Sequence, residues 1–153
     1  MIQMESCDRY AGLKLENQLC FPLYVCAKEV VRRYRPLLDE LGITYTQYIA
    51  LMALWEHRSL TMKELGSMLC LDSGTLTPLM KKLEEAGYVE RCRDRDDERV
   101  LTVTVTEKGM ELREKALSVP GEIASCIPLP VEDAITLARI LRKMMADLCG
   151  EEQ

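Results

Sequence analysis

One thiol in this 153-residue sequence is placed where cysteine chemistry could act as a signal. Proline is favoured in the first turn of a helix, so Pro22 predicts that a long helix begins between Leu19 and Pro22. Cys20 then lies at the helix start, where unpaired N–H groups and the helix dipole favour a thiolate. A thiolate reacts with a peroxide to give a sulfenic acid. Cys20 is therefore the candidate redox-sensing residue, and the alternative is an ordinary cysteine at a helix start.

The sequence contains seven cysteines, and their odd number and scattered spacing do not match a secreted disulfide framework. No two are spaced C-x-x-C, and the single histidine, His57, has no cysteine near it, so we expect neither a metal site nor a cofactor. We expect Cys92 to be a weak secondary oxidation site. Core packing is the expected role of three others: Cys26, Cys70 and Cys149.

Composition favours one domain over residues 1–153, because 48% hydrophobic residues can form a single core in a chain of this length. No apolar run is long enough to span a membrane, and the N-terminus lacks a basic-then-apolar signal segment. The expected location is cytoplasmic. The net charge of −5 argues against coating nucleic acid by bulk attraction, but it permits a local DNA-reading surface.

Signals for helix starts and helix ends divide the first half of the chain into three predicted helices. The long helix should end near Glu40, with Gly42 as its left-handed terminator. Thr44 and Thr61 each begin a capping box, closed by a glutamine or glutamate three residues later. Two further helices are therefore predicted after residues 44 and 61.

A fourth helix is expected after Asp72 or Ser73, and a start near Thr75 would place Pro78 in its first turn. Beyond it, alternating residues over 101–106 predict a strand that pairs with 88–92 as a hairpin. Thr106 should cap a fifth helix that runs to about Val119, and a final amphipathic helix ends before residue 150. The predicted fold is mainly α with a small β-hairpin wing, a winged helix-turn-helix.

In a helix-turn-helix, the second helix points its N-terminal side chains at DNA. Hydroxyls and lysines on its outer side suit phosphate oxygens, and arginines at the wing tip suit a minor groove. The candidate DNA-binding residues are Ser73, Thr75, Thr77, Lys81, Lys82, Arg93, Arg95 and Arg99. The alternative is a solvated loop, since residues 81–99 contain six basic and seven acidic side chains that can pair with one another.

Four segments carry a family resemblance: LENQLCF at 15–21, YRPLLD at 34–39, TYTQY at 44–48 and LDSGTLTP at 71–78. Together with Asp97-Glu98-Arg99, which matches the Asp-x-Arg pattern of the wing, they resemble the organic-hydroperoxide-sensing repressors of the MarR family. The resemblance covers about residues 13–125.

The resemblance implies an intertwined homodimer, with dimerisation helices over 13–42 and 107–150 and a DNA-binding winged helix-turn-helix over 44–106. It assigns the reactive cysteine to Cys20, its tyrosine partners to Tyr34 and Tyr45, and a wing-stabilising role to Asp97. At 1.5 Å per residue, Tyr34 lies about 21 Å from Cys20 along one helix, so their contact has to cross the dimer interface. Cys126 or an external low-molecular-weight thiol would complete the switch.

The leading functional prediction is a repressor that binds an inverted-repeat DNA operator and releases it when an organic hydroperoxide oxidises Cys20. The first alternative is a MarR-type repressor controlled by a non-covalently bound phenolic or other small ligand. A thiol peroxidase would need an activating histidine or arginine beside Cys20, and none is evident. A pure interaction module is the remaining alternative. We expect a regulator that is not an enzyme.

Overall fold

The computed structural model describes residues 8–150. Two 3₁₀ turns, Ala11–Leu13 and Leu15–Asn17, precede the first α-helix. The helices and strands that follow are α1 (Cys20–Leu41), α2 (Tyr45–His57), β1 (Ser59–Thr61), α3 (Met62–Leu69), α4 (Ser73–Glu85), β2 (Val89–Arg93), β3 (Leu101–Val105), α5 (Glu107–Lys115), α6 (Val119–Cys126) and α7 (Val131–Cys149). Within residues 8–150, none of the helices is long and apolar enough to cross a membrane.

The caps that the sequence predicts are present. Gly42 ends α1 with a left-handed backbone, φ +69°. At the start of α2, the Thr44 hydroxyl accepts a hydrogen bond from the Gln47 N–H, and Gln47 Oε1 accepts one from the Thr44 N–H at 2.8 Å. The same reciprocal pair opens α3 between Thr61 and Glu64. Each box satisfies N–H groups that have no partner inside the helix.

Helix α4 begins directly after Asp72, one of the two caps that the sequence predicts. The Asp72 carboxylate accepts a hydrogen bond from the Thr75 N–H at 2.8 Å, which makes Asp72 the N-cap and Ser73 the first helical residue. Pro78 therefore lies inside the helix and not in its first turn, so the expected start near Thr75 was wrong. Proline has no N–H to donate to the preceding turn. Leu76, before Pro78, and Met80 and Leu83, after it, are buried in the core.

A three-stranded antiparallel sheet with the order β1-β3-β2 supports the wing. The predicted hairpin is confirmed, with Arg91 opposite Val103. Sequence reasoning missed β1, which pairs Leu60 with Val103 on the other side of β3. A three-residue strand shows too few alternations to be detected by periodicity.

The predicted fifth helix is two helices. Thr106 caps α5 as expected, because its hydroxyl accepts a hydrogen bond from the Gly109 N–H, but α5 ends at Lys115. After a short turn, α6 begins at Val119 with Pro120 in its first turn, a position that proline favours. The expected helix end at Val119 was therefore wrong, because Pro120 starts a helix there.

The core lies between α2, α4 and the sheet. Its fully buried large side chains are Leu38, Leu51, Leu54, Leu65, Leu76, Met80, Leu83, Val89 and Val103. Trp55 closes one side of this core and donates a hydrogen bond from Nε1 to the Gly109 carbonyl at 2.8 Å, which ties α2 to α5. The core thus fixes α4 and the wing against one another.

Candidate DNA-binding surface and thiol sites

Helix α4 separates a buried face from an exposed one. Leu76, Met80 and Leu83 are at most 1% exposed and anchor the helix in the core. The five polar residues predicted to contact DNA from this helix are all exposed: Ser73, Thr75, Thr77, Lys81 and Lys82. The core therefore holds α4 so that hydroxyls and ammonium groups line its outer side.

The N-terminus of α2 lies beside this outer face. A shallow cleft of about 270 Å³ has Thr44, Thr46 and Gln47 on one side and Thr75 and Lys82 on the other. Sequence reasoning did not place α2 at this surface, although its capping box marked the start of that helix. Helix N-termini favour phosphate, so the cleft adds the start of α2 to the polar surface of α4.

Aspartates fold the tip of the wing. Asp94 Oδ1 accepts hydrogen bonds from the N–H groups of Asp96 at 2.8 Å and Asp97 at 3.2 Å. The Asp97 carboxylate in turn accepts one from the Arg99 N–H at 3.0 Å. Local side-chain bonds of this kind favour tight turns. The stabilising role predicted for Asp97 stays a prediction, and Asp94 is a second turn-forming residue that sequence reasoning missed.

The wing arginines differ in what they contact. Arg93 Nη1 donates to the Glu98 carbonyl at 2.7 Å, so part of its guanidinium is occupied inside the wing. Arg95 and Arg99 are exposed, and no ion pair holds either of them within residues 8–150. Of the three arginines predicted to contact DNA, these two have guanidinium groups available for an external anion.

Arg91 joins the wing to α4. Its Nη2 and Nε lie 2.7 and 2.8 Å from Glu84 Oε2, and its backbone N–H donates to Glu84 Oε1 at 3.1 Å. Hydrogen bonds from Arg91 lower the pKa of the Glu84 carboxyl, so the ion pair is present at neutral pH and is lost in acid as that carboxyl is protonated. The pair fixes the angle between the wing and α4.

Replacing Glu84 with glutamine should therefore loosen the wing without removing a group from the DNA-facing surface. We expect DNA affinity to fall by about threefold, the size of effect typical of a partly exposed ion pair. Fluorescence anisotropy with a labelled operator measures this change. Glu85→Gln is the matched control, because Glu85 is exposed and carries the same charge. Equal affinities for the two variants would show that the pair has no role in positioning the wing.

Cys20 is the first residue of α1 and is exposed. Within residues 8–150, no hydrogen bond joins it to Cys126, which is exposed at the end of α6. Tyr34 lies fourteen residues further along the same unbroken helix, about 21 Å away at the helical rise. One protomer therefore keeps the candidate sensor apart from the residues predicted to act with it.

The two predicted tyrosine partners are in contact with each other. The ring centroids of Tyr34 on α1 and Tyr45 on α2 are 4.9 Å apart, and Tyr48 lies 5.8 Å from Tyr34. Burial, with contributions from Tyr45 and Tyr48, raises the pKa of Tyr34, so its hydroxyl stays protonated at neutral pH. The cluster links α1 to the start of α2 in the winged helix-turn-helix.

The expectation that three cysteines are core residues was wrong. Cys26, Cys70 and Cys149 are all exposed in the protomer, because each lies on the outer side or at the end of its helix. Cys92 is also exposed, and Cys7 lies outside the described residues. Within residues 8–150, no group of three or more histidine, cysteine, aspartate or glutamate side chains could hold a metal ion.

Helices α1 and α7 present large apolar side chains to solvent. None of the 19 residues of α7 is buried, and its apolar residues Val131 and Leu148 are 74% and 72% exposed. Phe21 and Tyr24 on α1 are 42% and 63% exposed. An apolar surface of this extent on two long helices is typical of an interface with another chain.

Comparison with known proteins agrees with this geometry. Residues 32–116 match the family described as transcriptional regulator SarA/Rot. The organic hydroperoxide resistance transcriptional regulator of Bacillus subtilis is 45% identical over 92% of this chain and 96% of its own length. Overoxidized AbfR bound to DNA is 34% identical with a TM-score of 0.74, and the alignment covers 92% of this chain and all of that one.

A MarR variant from E. coli complexed with operator DNA, 23% identical, aligns over 90% of this chain and 99% of its own with a TM-score of 0.74, which shows the shared fold. The confirmed order of helices and wing is thus the MarR-type arrangement. The chain therefore belongs to the MarR-type winged-helix transcriptional regulators, in the group that includes the SarA/Rot family and the organic hydroperoxide regulators.

Proposed function

We propose that this regulator is a homodimeric repressor that releases its operator when an organic hydroperoxide oxidises Cys20. The observation that carries the proposal is an exposed thiol at the first residue of α1, in a chain 45% identical to a regulator named for organic hydroperoxide resistance. Its place of action is the cytoplasm, where a bacterial operator lies. Cys20 acts once per signal and is not a turnover catalyst.

Dimerisation accounts for the exposed apolar face of α7. Two copies that interleave α1 and α7 would remove those side chains from water, at roughly 25 cal/mol for each Å² of apolar surface buried. An isologous dimer also presents two copies of α4 related by a two-fold axis. It therefore matches an inverted repeat whose half-sites are about one helical turn apart.

The dimer brings the separated sensor residues together. About 21 Å of helix separates Cys20 from Tyr34 in one chain. A contact between the two must therefore join Cys20 of one subunit to Tyr34 of the partner subunit. Tyr34 also packs on Tyr45, which belongs to the winged-helix body. A change at the sulfur can therefore move the rings, and the rings can move α2 and α4 relative to DNA.

The proposed reaction transfers one oxygen atom. The Cys20 thiol reacts with a hydroperoxide to give the sulfenic acid and the corresponding alcohol. A second thiol then attacks the sulfenic sulfur, forms a disulfide and releases water. Cys126 of the partner subunit or an external low-molecular-weight thiol supplies that second sulfur. The sulfenic acid is larger and more polar than the thiol, so it disturbs the tyrosine cluster.

The lysines of α4 should contribute to DNA affinity mainly through phosphate contacts. Replacing Lys81 with alanine removes one cation from the exposed face of that helix. We expect the salt dependence of binding, the slope of log K against log salt, to become shallower by about two, one for each subunit of the dimer. Anisotropy titrations at several salt concentrations measure this slope. Lys115→Ala, on α5 and outside the proposed surface, should leave the slope unchanged.

The direct test is a gel shift on DNA from around the regulator's own gene, with and without cumene hydroperoxide. Binding of the reduced protein and release by the hydroperoxide support the proposal. Binding that the hydroperoxide does not weaken contradicts the sensing step. In that case, release by a phenolic compound would favour control by a non-covalent ligand.

A further inference from the structure

The end of α4 is fastened to the start of α5 by hydrogen bonds to three successive carbonyl groups. Lys108 Nζ donates to the Ala86 carbonyl at 2.6 Å, and the Thr106 hydroxyl donates to the Gly87 carbonyl at 2.7 Å. The Thr106 N–H donates to the Tyr88 carbonyl at 3.0 Å. Residues 86–88 and 106–108 therefore form one contact region, the α4–α5 junction.

The Lys108 ammonium has two partners at this junction. Besides its hydrogen bond to Ala86, Nζ lies 5.1 Å from the centroid of the Tyr88 ring, within the range of a cation–π contact. A Cβ at Gly87 would lie 3.5 Å from Lys108 Cδ, so the lysine stem passes directly over this glycine. The positive charge also lies at the C-terminal end of α4, where the helix dipole favours a cation. Several contacts thus hold one exposed side chain in place.

The junction holds the part of α4 that the core does not reach. Leu83 is the last buried residue of this helix, and Glu85 and Ala86 beyond it are exposed. Arg91 holds this end of α4 from the wing, and Lys108 holds it from α5. The helix has 13 residues and is about 18 Å long at its rise. Since a helix of this length moves as a rigid element, a displacement of its end redirects the side chains proposed to face DNA.

The other side of the junction is fixed to the core. The Gly109 carbonyl accepts the hydrogen bond from Trp55 Nε1 at 2.8 Å, and Gly109 and Leu112 of α5 are buried. Lys108 therefore extends from a firmly held helix onto the exposed end of α4. Helix α5 also begins the segment 107–150 that we assign to the dimer, so the junction joins that segment to α4.

We propose that Lys108 is a positioning residue for operator binding, whose ammonium fixes the C-terminal end of α4 against α5 and so sets the direction in which α4 meets DNA. The inference rests on the operator binding of the proposed function and needs no oxidation step. Lys108 acts through α4 and contacts no nucleotide itself. Its loss should weaken binding to the operator, whose base edges must be met in register, more than binding to unrelated DNA, which depends on phosphate charge.

The test compares three variants of the reduced protein. Lys108→Met keeps an unbranched side chain over Gly87 and removes the charge, whereas Lys108→Arg keeps a cation that can donate and can stack on a ring. Lys115→Met is the matched control, because it removes the same charge from an exposed position on α5. Anisotropy titrations at several salt concentrations measure affinity for DNA from around the regulator's own gene and for unrelated DNA of equal length.

We expect Lys108→Met to lower operator affinity about tenfold in a dimer, roughly threefold for each subunit. Affinity for unrelated DNA should change by less than about twofold, and the salt slope should stay the same. Lys108→Arg should recover operator affinity to within about twofold of the wild type. Lys115→Met should match the wild type on both DNAs.

Hydrogen–deuterium exchange tests the junction without DNA. The Ala86 N–H donates to the Lys82 carbonyl, and the Gly87 N–H donates to the Glu84 carbonyl, so both amides report on the end of α4. Lys108→Met should speed their exchange about threefold, while Lys108→Arg and Lys115→Met should not. Unchanged exchange in Lys108→Met would show that the lysine does not hold this end, and it would overturn the proposal.

Two results on DNA would also overturn it. Equal losses on operator and unrelated DNA, with a salt slope shallower by about two, would make Lys108 a phosphate contact. Faster exchange with unchanged operator affinity would reduce Lys108 to a stabiliser of the helix end. A wild type without preference for operator DNA would overturn the proposed function as well, whereas a failure confined to the variants overturns only this inference. No hydroperoxide is added, so failure of Cys20 as a sensor leaves these results unaffected.

Discussion

A Cys20→Ser variant should bind operator DNA as tightly as the wild type and should not release it when an organic hydroperoxide is added. Serine has nearly the same shape as cysteine and cannot form a sulfenic acid, so the reduced conformation persists. Oxidised wild type should lose affinity by roughly 5- to 150-fold, the usual range of coupling between two sites. Anisotropy titrations before and after one equivalent of cumene hydroperoxide measure both values.

The matched control is Cys92→Ser, which removes another exposed thiol, on β2 close to the wing. It should respond to hydroperoxide as the wild type does. If Cys20→Ser still releases DNA on oxidation, the sensing thiol lies elsewhere in the chain. If neither the variant nor the wild type responds, a non-covalent ligand becomes the leading explanation of control.

Gly109→Ala should be strongly destabilising, because α5 passes very close to the end of the hairpin. A Cβ at this position would overlap the carbonyl oxygen of Tyr88 and lie 2.6 Å from Val105 Cγ2. The Tyr88 contact is backbone and cannot rotate away. We expect a loss of about 3 kcal/mol in the free energy of unfolding, at the upper end for overpacking, and a melting temperature lower by roughly 6–12 °C. Thermal melts followed by circular dichroism measure this.

Gly121→Ala is the matched control, since this glycine also lies in a short helix, α6, and a Cβ there meets no atom within 4 Å. Alanine is the better helix former by about 1 kcal/mol, so this variant should be slightly more stable than the wild type. If Gly109→Ala lowered the free energy of unfolding by no more than Gly121→Ala changes it, the close approach of α5 to Tyr88 would be contradicted. Because the Gly109 carbonyl also receives the Trp55 hydrogen bond, DNA binding should weaken along with stability.

Local chemistry in the sequence determined the starts of the helices. Thr44, Thr61 and Thr106 each cap a helix through bonds to residues three positions away, and such bonds depend on neighbours along the chain. The pairing of the two hairpin strands and the exposed face of α4 were predicted from periodicities of two and 3.6 residues. For the same reason, the amino-acid sequence alone predicts an order of helices and wing that is typical of a DNA-binding module.

The tertiary structure decided which groups meet when their residues are distant in sequence or lack a local signal. The short strand β1 exists because β3 offers it a partner, and three residues alone carry no period. No sequence signal joined Arg91 to Glu84, and the fold placed the two side chains against one another. Cys70 and Cys149 were expected in a core that neither enters. Contacts between distant elements depend on where the packed core directs each helix, and no local periodicity encodes that direction.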